Sequence, residues 1–102
     1  MIQTIEIMVR SGIEQTINAL VVYSKNICYI NNKKYQVTDA FMEELIQTIC
    51  LWKPEYGSDD NIDSEEFLVK VKSTDGIETF HGKGVFPHNY FVLKELLGDM
   101  DD

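Results

Sequence analysis

Positive charge is scarce in this chain of 102 residues. Nine Lys and Arg side chains stand against seventeen Asp and Glu side chains, the formal net charge is −8, and Arg10 is the single arginine. Proteins that hold a phosphate backbone do so by displacing counterions with Lys and Arg. The sign of the charge therefore disfavours nucleic acid and anionic membranes as direct partners.

Long apolar segments and cysteine motifs are also missing. No apolar run approaches the roughly 18 residues of a membrane helix, and the first residues lack the basic and apolar regions of a secretory signal. Cys28 and Cys50 lie far apart and form no C-x-x-C pair. We therefore expect a soluble cytoplasmic protein in which both cysteines are reduced and buried as small hydrophobic side chains.

Motifs of catalysis and metal binding are absent as well. The segment HGKGVFPHNYF, residues 81–91, contains a Gly-Lys-Gly, but its lysine precedes the second glycine, so it does not match the phosphate-binding G-x-x-x-x-G-K-[ST]. No third ligand is spaced to bind zinc together with His81 and His88, and no serine lies in a G-x-S-x-G elbow. These absences favour a protein that is not an enzyme and needs neither cofactor nor metal.

The composition is sufficient for one hydrophobic core. Hydrophobic residues make up 44% of the chain, including five Phe, five Tyr and one Trp. There is no repeat of solenoid period and no low-complexity run. Residues 1–102 are expected to form one domain, because this length is close to the commonest for a single folded unit.

The first third of the sequence has the pattern of an antiparallel meander. Apolar and polar residues alternate over residues 2–10, and the β-branched segments 16–24 and 27–30 follow. Asn31 and Asn32 then separate the last of these from the short strand 35–37. Asn tolerates left-handed backbone conformations, which predicts a tight hairpin at this pair.

The remaining sequence predicts a helix, a hairpin and a second helix. Thr38 and Asp39 are suited to begin a helix, which is expected to end before Pro54. In this helix Thr48 is expected to face solvent, and the apolar face is formed by Phe41, Met42, Leu45, Ile46, Ile49 and Cys50. A hairpin follows through the turn STDG, residues 73–76.

The terminal segment begins at Pro87, since proline suits the first helical position. Its apolar face is expected to comprise Phe91, Val92, Leu93, Leu96, Leu97 and Met100, with Gly98 as the stop. The glycines of the Gly-Lys-Gly are expected to form a bulge or turn, and Phe86 to enter the core.

The order ββββαββα predicts an α+β fold. Successive early strands have no crossover segments, so they cannot be parallel neighbours. We expect a mainly antiparallel, curved sheet of five or six strands, with both helices on one face and the other face partly solvated.

The acidic residues are concentrated in the later part of the chain. Residues 1–37 carry two acids and four basic side chains, whereas residues 38–102 carry fifteen acids and five lysines. The connection 55–66 holds six carboxylates and no base. It is not an EF-hand, because Ser64 occupies the glycine position and Lys70 the position of the bidentate glutamate.

The segment DGIETFHGKGVFPHNYFVLKELL, residues 75–97, resembles small proteins of low-GC Gram-positive bacteria. In that family a D-G hairpin precedes a G-K-G, an aromatic-Pro-x-Asn-aromatic joint and a Leu-rich helix. The family has no assigned activity, and some members are similar to toxin-immunity proteins. The resemblance covers about a third of the chain and implies no catalytic residue.

Three hypotheses for function remain. The first is a non-enzymatic, acidic interaction domain, of inhibitor or immunity type, that covers a basic protein surface, because carboxylates beside aromatic side chains steer and anchor a basic partner. Its candidate contact residues are Trp52, Tyr56, Asp59, Asp60, Asp63, Glu65 and Glu66. In the alternative interpretation, this segment is only a solubilising loop and Trp52 closes the core.

The second hypothesis is a small-molecule sensor or enzyme. Its pocket would be formed by His81, Lys83, His88 and Asn89. The third is a structural homodimer, formed through an unpaired sheet edge or the solvated face of the sheet.

Overall fold

The computed structural model describes residues 1–11, 15–57 and 64–100. Within them the chain forms six strands and two α-helices, in the order β1 (Ile2–Ser11), β2 (Gln15–Val22), β3 (Ile27–Ile30), β4 (Lys33–Gln36), α1 (Asp39–Ile49), β5 (Glu66–Ser73), β6 (Gly76–Lys83) and α2 (Tyr90–Met100). A short 3₁₀ turn, Tyr23–Lys25, joins β2 to β3. The predicted order ββββαββα is confirmed.

The strands form one open antiparallel sheet in the order β4-β3-β2-β1-β5-β6. β1 is the central strand, where Ile7 lies opposite Ala19 of β2 on one side and Val69 of β5 on the other. The four strands that precede α1 and the β5–β6 hairpin that follows it therefore form one sheet, because β1 pairs with β5. This confirms the α+β class.

The hairpin between β3 and β4 forms at the predicted asparagine pair. Asn31 and Asn32 have φ angles of 49° and 73°, the left-handed region in which Asn is among the least strained non-glycine residues. The Asn31 side-chain oxygen also accepts a hydrogen bond of 2.9 Å from the Asn18 backbone N–H. The turn is thereby fixed to β2 as well as to β3.

The core lies between the helices and one face of the sheet. Alternate residues of each strand point to this face, as the pleat requires. The buried strand residues are Ile5, Ile7, Val9, Ala19, Val21, Cys28, Ile30, Phe67, Val69 and Phe80. Burial raises the pKa of the Cys28 thiol to about 11, which keeps it protonated and unreactive.

α1 begins and ends close to the predicted positions. The Thr38 hydroxyl caps its N-terminus by accepting a hydrogen bond of 3.1 Å from the Phe41 N–H. Thr48, predicted to face solvent, is buried instead, and its hydroxyl donates to the Glu44 carbonyl at 2.8 Å, which satisfies the polar group. The prediction that Cys50 is buried is wrong, because it follows the last helical turn and points to solvent.

α2 buries Leu93 and Leu97 as predicted, but it differs from its prediction at Phe91 and at both ends. The helix begins at Tyr90, after a turn in which the Tyr90 N–H donates to the Pro87 carbonyl. Tyr90, Leu93 and Leu97 form the buried face, while Phe91 is 60% exposed. Gly98 does not end the helix, since helical structure continues to Met100.

The two edges of the sheet are protected in different ways. β4 has four residues and carries Lys33 and Lys34, both exposed. On β6, the His81 N–H donates to the Pro54 carbonyl at 3.0 Å, and the Lys83 N–H donates to the Gly57 carbonyl at 3.2 Å. Short strands, lysine and a covering loop are the usual devices against edge-to-edge pairing.

A search of the described residues for a helix of sufficient length and apolar character to cross a membrane finds none.

Candidate functional site

Described residues from the two predicted sites, among them Trp52, Tyr56, His81 and Asn89, lie close together. The chain leaving α1 runs alongside the end of β6, where the Tyr56 N–H donates to the His81 carbonyl at 3.0 Å. The ring of Trp52 lies near the start of α2, and Asn89 binds it directly. These described members of the predicted partner site and of the predicted ligand site thus belong to one junction, which the spacing of the residues in the sequence did not indicate.

Trp52 is a core residue of this junction. Only 7% of it is exposed, and its ring centroid lies 5.5 Å from that of Phe67 and 6.2 Å from that of Phe80, both in edge-on geometry. Such aromatic pairs add to the stability that burial provides. The prediction that Trp52 is an exposed anchor is therefore wrong, and the alternative, that it closes the core, describes its position.

Tyr56 is half-buried against the same cluster. Its ring centroid lies 6.1 Å from that of Phe67, and its hydroxyl accepts a hydrogen bond of 2.8 Å from the Lys53 N–H. Phe86 packs on the other side and stacks on Tyr90 with a centroid distance of 4.6 Å. Tyr56 retains some accessible surface beside the acidic connection, so part of it is available for contact.

Asn89 links three segments through its side chain. Its Oδ1 accepts a hydrogen bond of 2.6 Å from Trp52 Nε1, and its Nδ2 donates to the Thr48 carbonyl at 3.0 Å. Both ends of the amide are therefore occupied within the protein. The second partner also satisfies a carbonyl near the end of α1, where intrahelical donors are lacking. Asn89 is placed to hold the junction together rather than to bind a ligand.

His81 lies between two carboxylates. Its Nε2 is 2.8 Å from Glu66 Oε2, and its Nδ1 is 3.5 Å from Glu55 Oε2. The hydrogen bond with Glu66, assisted by Glu55, outweighs partial burial and raises the pKa of His81 above its ordinary value. Because the carboxylates bind opposite nitrogens of one ring, they do not converge on a common ion.

Glu66 is the centre of an ion-pair network on the sheet surface. Besides His81 it binds Arg10, whose NH2 group lies 2.5 Å from Oε1. The hydrogen bond with His81 lowers the pKa of Glu66, with further help from the positive charges of Arg10 and Lys83. This predicted contact residue is thus neutralised within the protein.

Glu65 is similarly occupied. Its Oε1 accepts hydrogen bonds of 2.6 Å from the Ser11 hydroxyl and 2.9 Å from Lys94 Nζ. Burial acts to raise its pKa, but these hydrogen bonds together outweigh burial, so the pKa of Glu65 lies below its ordinary value. The nearby Tyr90 hydroxyl is buried without a well-formed hydrogen bond, and desolvation together with the charge of Glu65 raises the pKa of Tyr90.

The remaining predicted residues do not complete a site. His88 is exposed, and Lys83 is partly exposed beside Glu66. Asp59, Asp60 and Asp63 lie outside the described residues. Over residues 1–11, 15–57 and 64–100, no group of three or more His, Cys, Asp or Glu side chains is arranged to hold a metal ion.

Charge is divided between the two layers of the fold. The solvent-facing side of the described strands carries more positive than negative side chains, because strand alternation points the lysines of β5 and β6 away from the core. The positive residues are Arg10, Lys34, Lys70, Lys72 and Lys83, and the negative ones are Glu6 and Glu66.

The helical layer has the opposite sign. α1 contains Asp39, Glu43 and Glu44 and no basic residue, and all three are exposed. On α2, Lys94 is bound to Glu65, while Glu95 is exposed. The chain therefore has a positive sheet face and an acidic helical surface, although its net charge is strongly negative.

Two cavities lie away from the junction. The larger, of about 720 Å³, is a groove on the helix-free face of the sheet, and the smaller, of about 260 Å³, lies between α1 and strands β1, β5 and β6. Neither is lined by His81, Lys83, His88 or Asn89. The groove was not predicted, although apolar residues at outward positions of β1, β2 and β5 are a signal that could have indicated it.

The fold defines an α+β protein with two helices packed on one six-stranded antiparallel sheet. Comparison with family models, with curated proteins and with solved structures found no match in any of the three.

Proposed function

We propose that the protein is a non-enzymatic interaction domain whose acidic surface binds a basic surface of another protein in the cytoplasm. Inhibitors of immunity type, to which its C-terminal third has a resemblance, are the most concrete form of this function. The observation that carries the proposal is the charge of the helical layer, which is acidic while the sheet face is positive.

The helical layer supports this role better than the acidic connection alone. Glu43, Glu44 and Glu95 are exposed, whereas Glu65 and Glu66 are bound to basic groups of the same chain. Exposed carboxylates steer a basic partner over distances of about a Debye length, roughly 8 Å at physiological salt. The proposed contact surface therefore moves from Trp52, Glu65 and Glu66 to the helices.

Apolar anchors are present near these carboxylates. Leu51, directly after α1, is 84% exposed, and Phe91 of α2 is 60% exposed. Aromatic side chains such as Phe are enriched in protein interfaces, while charged residues around them fix orientation and rate. Asp59, Asp60 and Asp63 of the connection remain candidate contacts alongside these helical residues.

The test compares one charge reversal on each layer. Glu44→Lys on α1 and Glu6→Lys on the sheet face change the net charge equally, and each removes an exposed carboxylate. The tagged wild-type protein is used to capture partners at low salt, and the association rate of a captured basic protein is then measured for all variants. We expect Glu44→Lys to slow association about tenfold and to flatten its salt dependence, and Glu6→Lys to change it little.

A third variant, Asp59→Lys with Asp60→Lys and Asp63→Lys, tests whether the connection contributes to partner binding independently of the helices. A loss confined to this variant would return the contact surface to the connection. Retention of every captured partner by all three variants would contradict the proposal.

A further inference from the structure

The helix-free face of the sheet contains a groove that the proposed function does not use. Its volume is about 720 Å³. It is lined by Glu6, Met8, Asn18, Leu20, Tyr29, Asn31, Asn32, Leu68 and Lys70, with backbone from Ile7 and Ala19 behind them. These residues belong to four adjacent strands and the β3–β4 turn, so the groove runs across the sheet.

The floor of the groove is apolar. Met8 and Leu68 lie directly opposite each other on β1 and β5, and Leu20 lies opposite Tyr29 on β2 and β3. The three aliphatic side chains are partly exposed, and 37% of Tyr29 is exposed. Partly exposed Met, Leu and Tyr side chains grouped on one face are the composition of a contact surface rather than of an ordinary solvated sheet.

Three lysines lie in or beside this floor, and Glu6, opposite Leu20, is the one carboxylate among the described residues that line it. Lys34 lies opposite Tyr29 at one end, and Lys70 lies opposite Glu6 at the other, with its Nζ 4.0 Å from the glutamate. Lys72 follows two residues later on the same face, and no ion pair is formed by Lys34 or Lys72 among the described residues. An occupant with negative charge fits this arrangement.

A second copy packed face to face does not fit. A two-fold interface would bring the same positive face of each copy together, and like charges across an interface are unfavourable. Side-by-side pairing through the sheet edges is opposed by Lys33 and Lys34 on β4 and by residues 54–57 over β6. Symmetric pairing of two copies is therefore disfavoured in both modes, which favours a different chain as the occupant.

The length of the groove limits how many residues of the bound chain it can accommodate. The floor spans four strands, or three spacings of about 4.8 Å, which gives a length of about 14 Å. That length accommodates about four extended residues or nine helical residues. The side-chain amides of Asn18 and Asn32 lie along one side, where they can donate to and accept from a peptide backbone.

We propose that this groove binds a short acidic segment of another protein. One or two large apolar side chains of the segment occupy the floor formed by Met8, Leu20 and Leu68. Its carboxylates contact Lys34, Lys70 and Lys72. The protein then has two interaction surfaces of opposite charge, one on each layer.

The experiment screens a displayed library of random short peptides against the immobilised full-length protein. The strongest peptide is synthesised together with a version in which each Asp or Glu is replaced by Lys, and both are measured by fluorescence anisotropy. Leu68→Glu and Lys70→Glu test the floor and the charge. Leu51→Glu is the matched control, because Leu51 is an exposed aliphatic residue directly after α1, on the opposite layer from the groove.

We expect enrichment of acidic peptides with large apolar residues, binding about tenfold weaker to Leu68→Glu and Lys70→Glu, and unchanged binding to Leu51→Glu. Glu44→Lys should also bind the peptide normally, which separates this proposal from the proposed function. Circular dichroism and thermal unfolding establish that each variant is folded. Enrichment of basic peptides, or equal binding by all variants, would overturn the proposal, as would a self-association in light scattering that Leu68→Glu abolishes.

Discussion

At the scale of single residues, the side chains best suited to bind a ligand instead make contacts that stabilise the fold. Asn89, Trp52 and His81 could each have served a ligand site. Instead Asn89 connects Trp52 to the end of α1, and His81 connects two carboxylates. Their polar atoms are satisfied by one another, as is required of groups that are partly or fully buried.

Replacing Asn89 with alanine tests this structural role. We expect Asn89→Ala to lower the free energy of unfolding by about 2 kcal/mol, because it leaves the indole N–H of buried Trp52 and the Thr48 carbonyl without partners. The measurement is urea denaturation followed by tryptophan fluorescence. The neighbouring exposed residue provides the control, since His88→Ala should change stability by less than about 0.5 kcal/mol. Equal effects of the two substitutions would argue against the role assigned to Asn89.

Residue roles of this kind could be predicted only in part. The asparagine turn and the Thr38 cap depend on neighbours in sequence, and both were predicted. Trp52 and Asn89 are 37 residues apart, and Arg10 and Glu66 are 56 residues apart. Such pairs depend on which strands become neighbours, and a count of acidic residues in the connection does not show which of them are neutralised.

At the scale of elements, the strand and helix order was predicted because alternation and helical periodicity are local. The face of α2 was predicted in part, because Leu93 and Leu97 are buried as expected. The helix begins at Tyr90, after the turn at Pro87, and Tyr90 lies three residues before Leu93 on the same side. The buried side therefore includes Tyr90, Leu93 and Leu97, and the aromatic Phe91 is turned outward.

The segment 54–57 is held against β6 by backbone hydrogen bonds and by the ion pair between Glu55 and His81. His81 also binds Glu66 of β5, and these pairs predict a pH dependence of stability. The pKa of His81 is raised above 6.5, so its contribution is complete below that pH and is lost as the pH rises through the folded pKa. The pKa of Glu66 is lowered below 4.5, so its contribution is present above that pH and is lost in more acidic solution. The pair is complete between these two values.

We expect His81→Gln to reduce the free energy of unfolding by about 1 kcal/mol near pH 5.5, and by less as the pH rises through the folded pKa of His81. Arg10 and Lys83 face the same network and are present in both proteins, so the difference between the two proteins is assigned to the imidazole. Urea denaturation of both proteins at a series of pH values measures it. His88→Gln, at the exposed histidine, should show no such trend, and a difference for His81→Gln that stays constant with pH would contradict the mechanism.

At the scale of the whole molecule, charge is segregated by layer. The sequence divides into a slightly positive first third and a strongly acidic remainder, but Lys70, Lys72 and Lys83 of that remainder lie on the sheet face. Within the acidic part of the sequence, strand alternation thus places these lysines on the sheet face, a separation that the net charge of the segment does not show. The opposite signs of the two layers follow from topology, since β5 pairs with β1 and brings these lysines next to Arg10.

The same arrangement leaves β4 as the more accessible sheet edge. Its outer backbone groups can pair with another chain, and pairing would crowd and partly desolvate the ammonium groups of Lys33 and Lys34. We expect the double substitution Lys33→Thr with Lys34→Thr to produce self-association that increases with protein concentration. Lys25→Thr with Lys53→Thr is the matched control, because it removes the same charge from two exposed lysines outside the strands. Sedimentation velocity distinguishes the two, and comparable association of both variants would mean that net charge, not the lysines at the edge, keeps the chains apart.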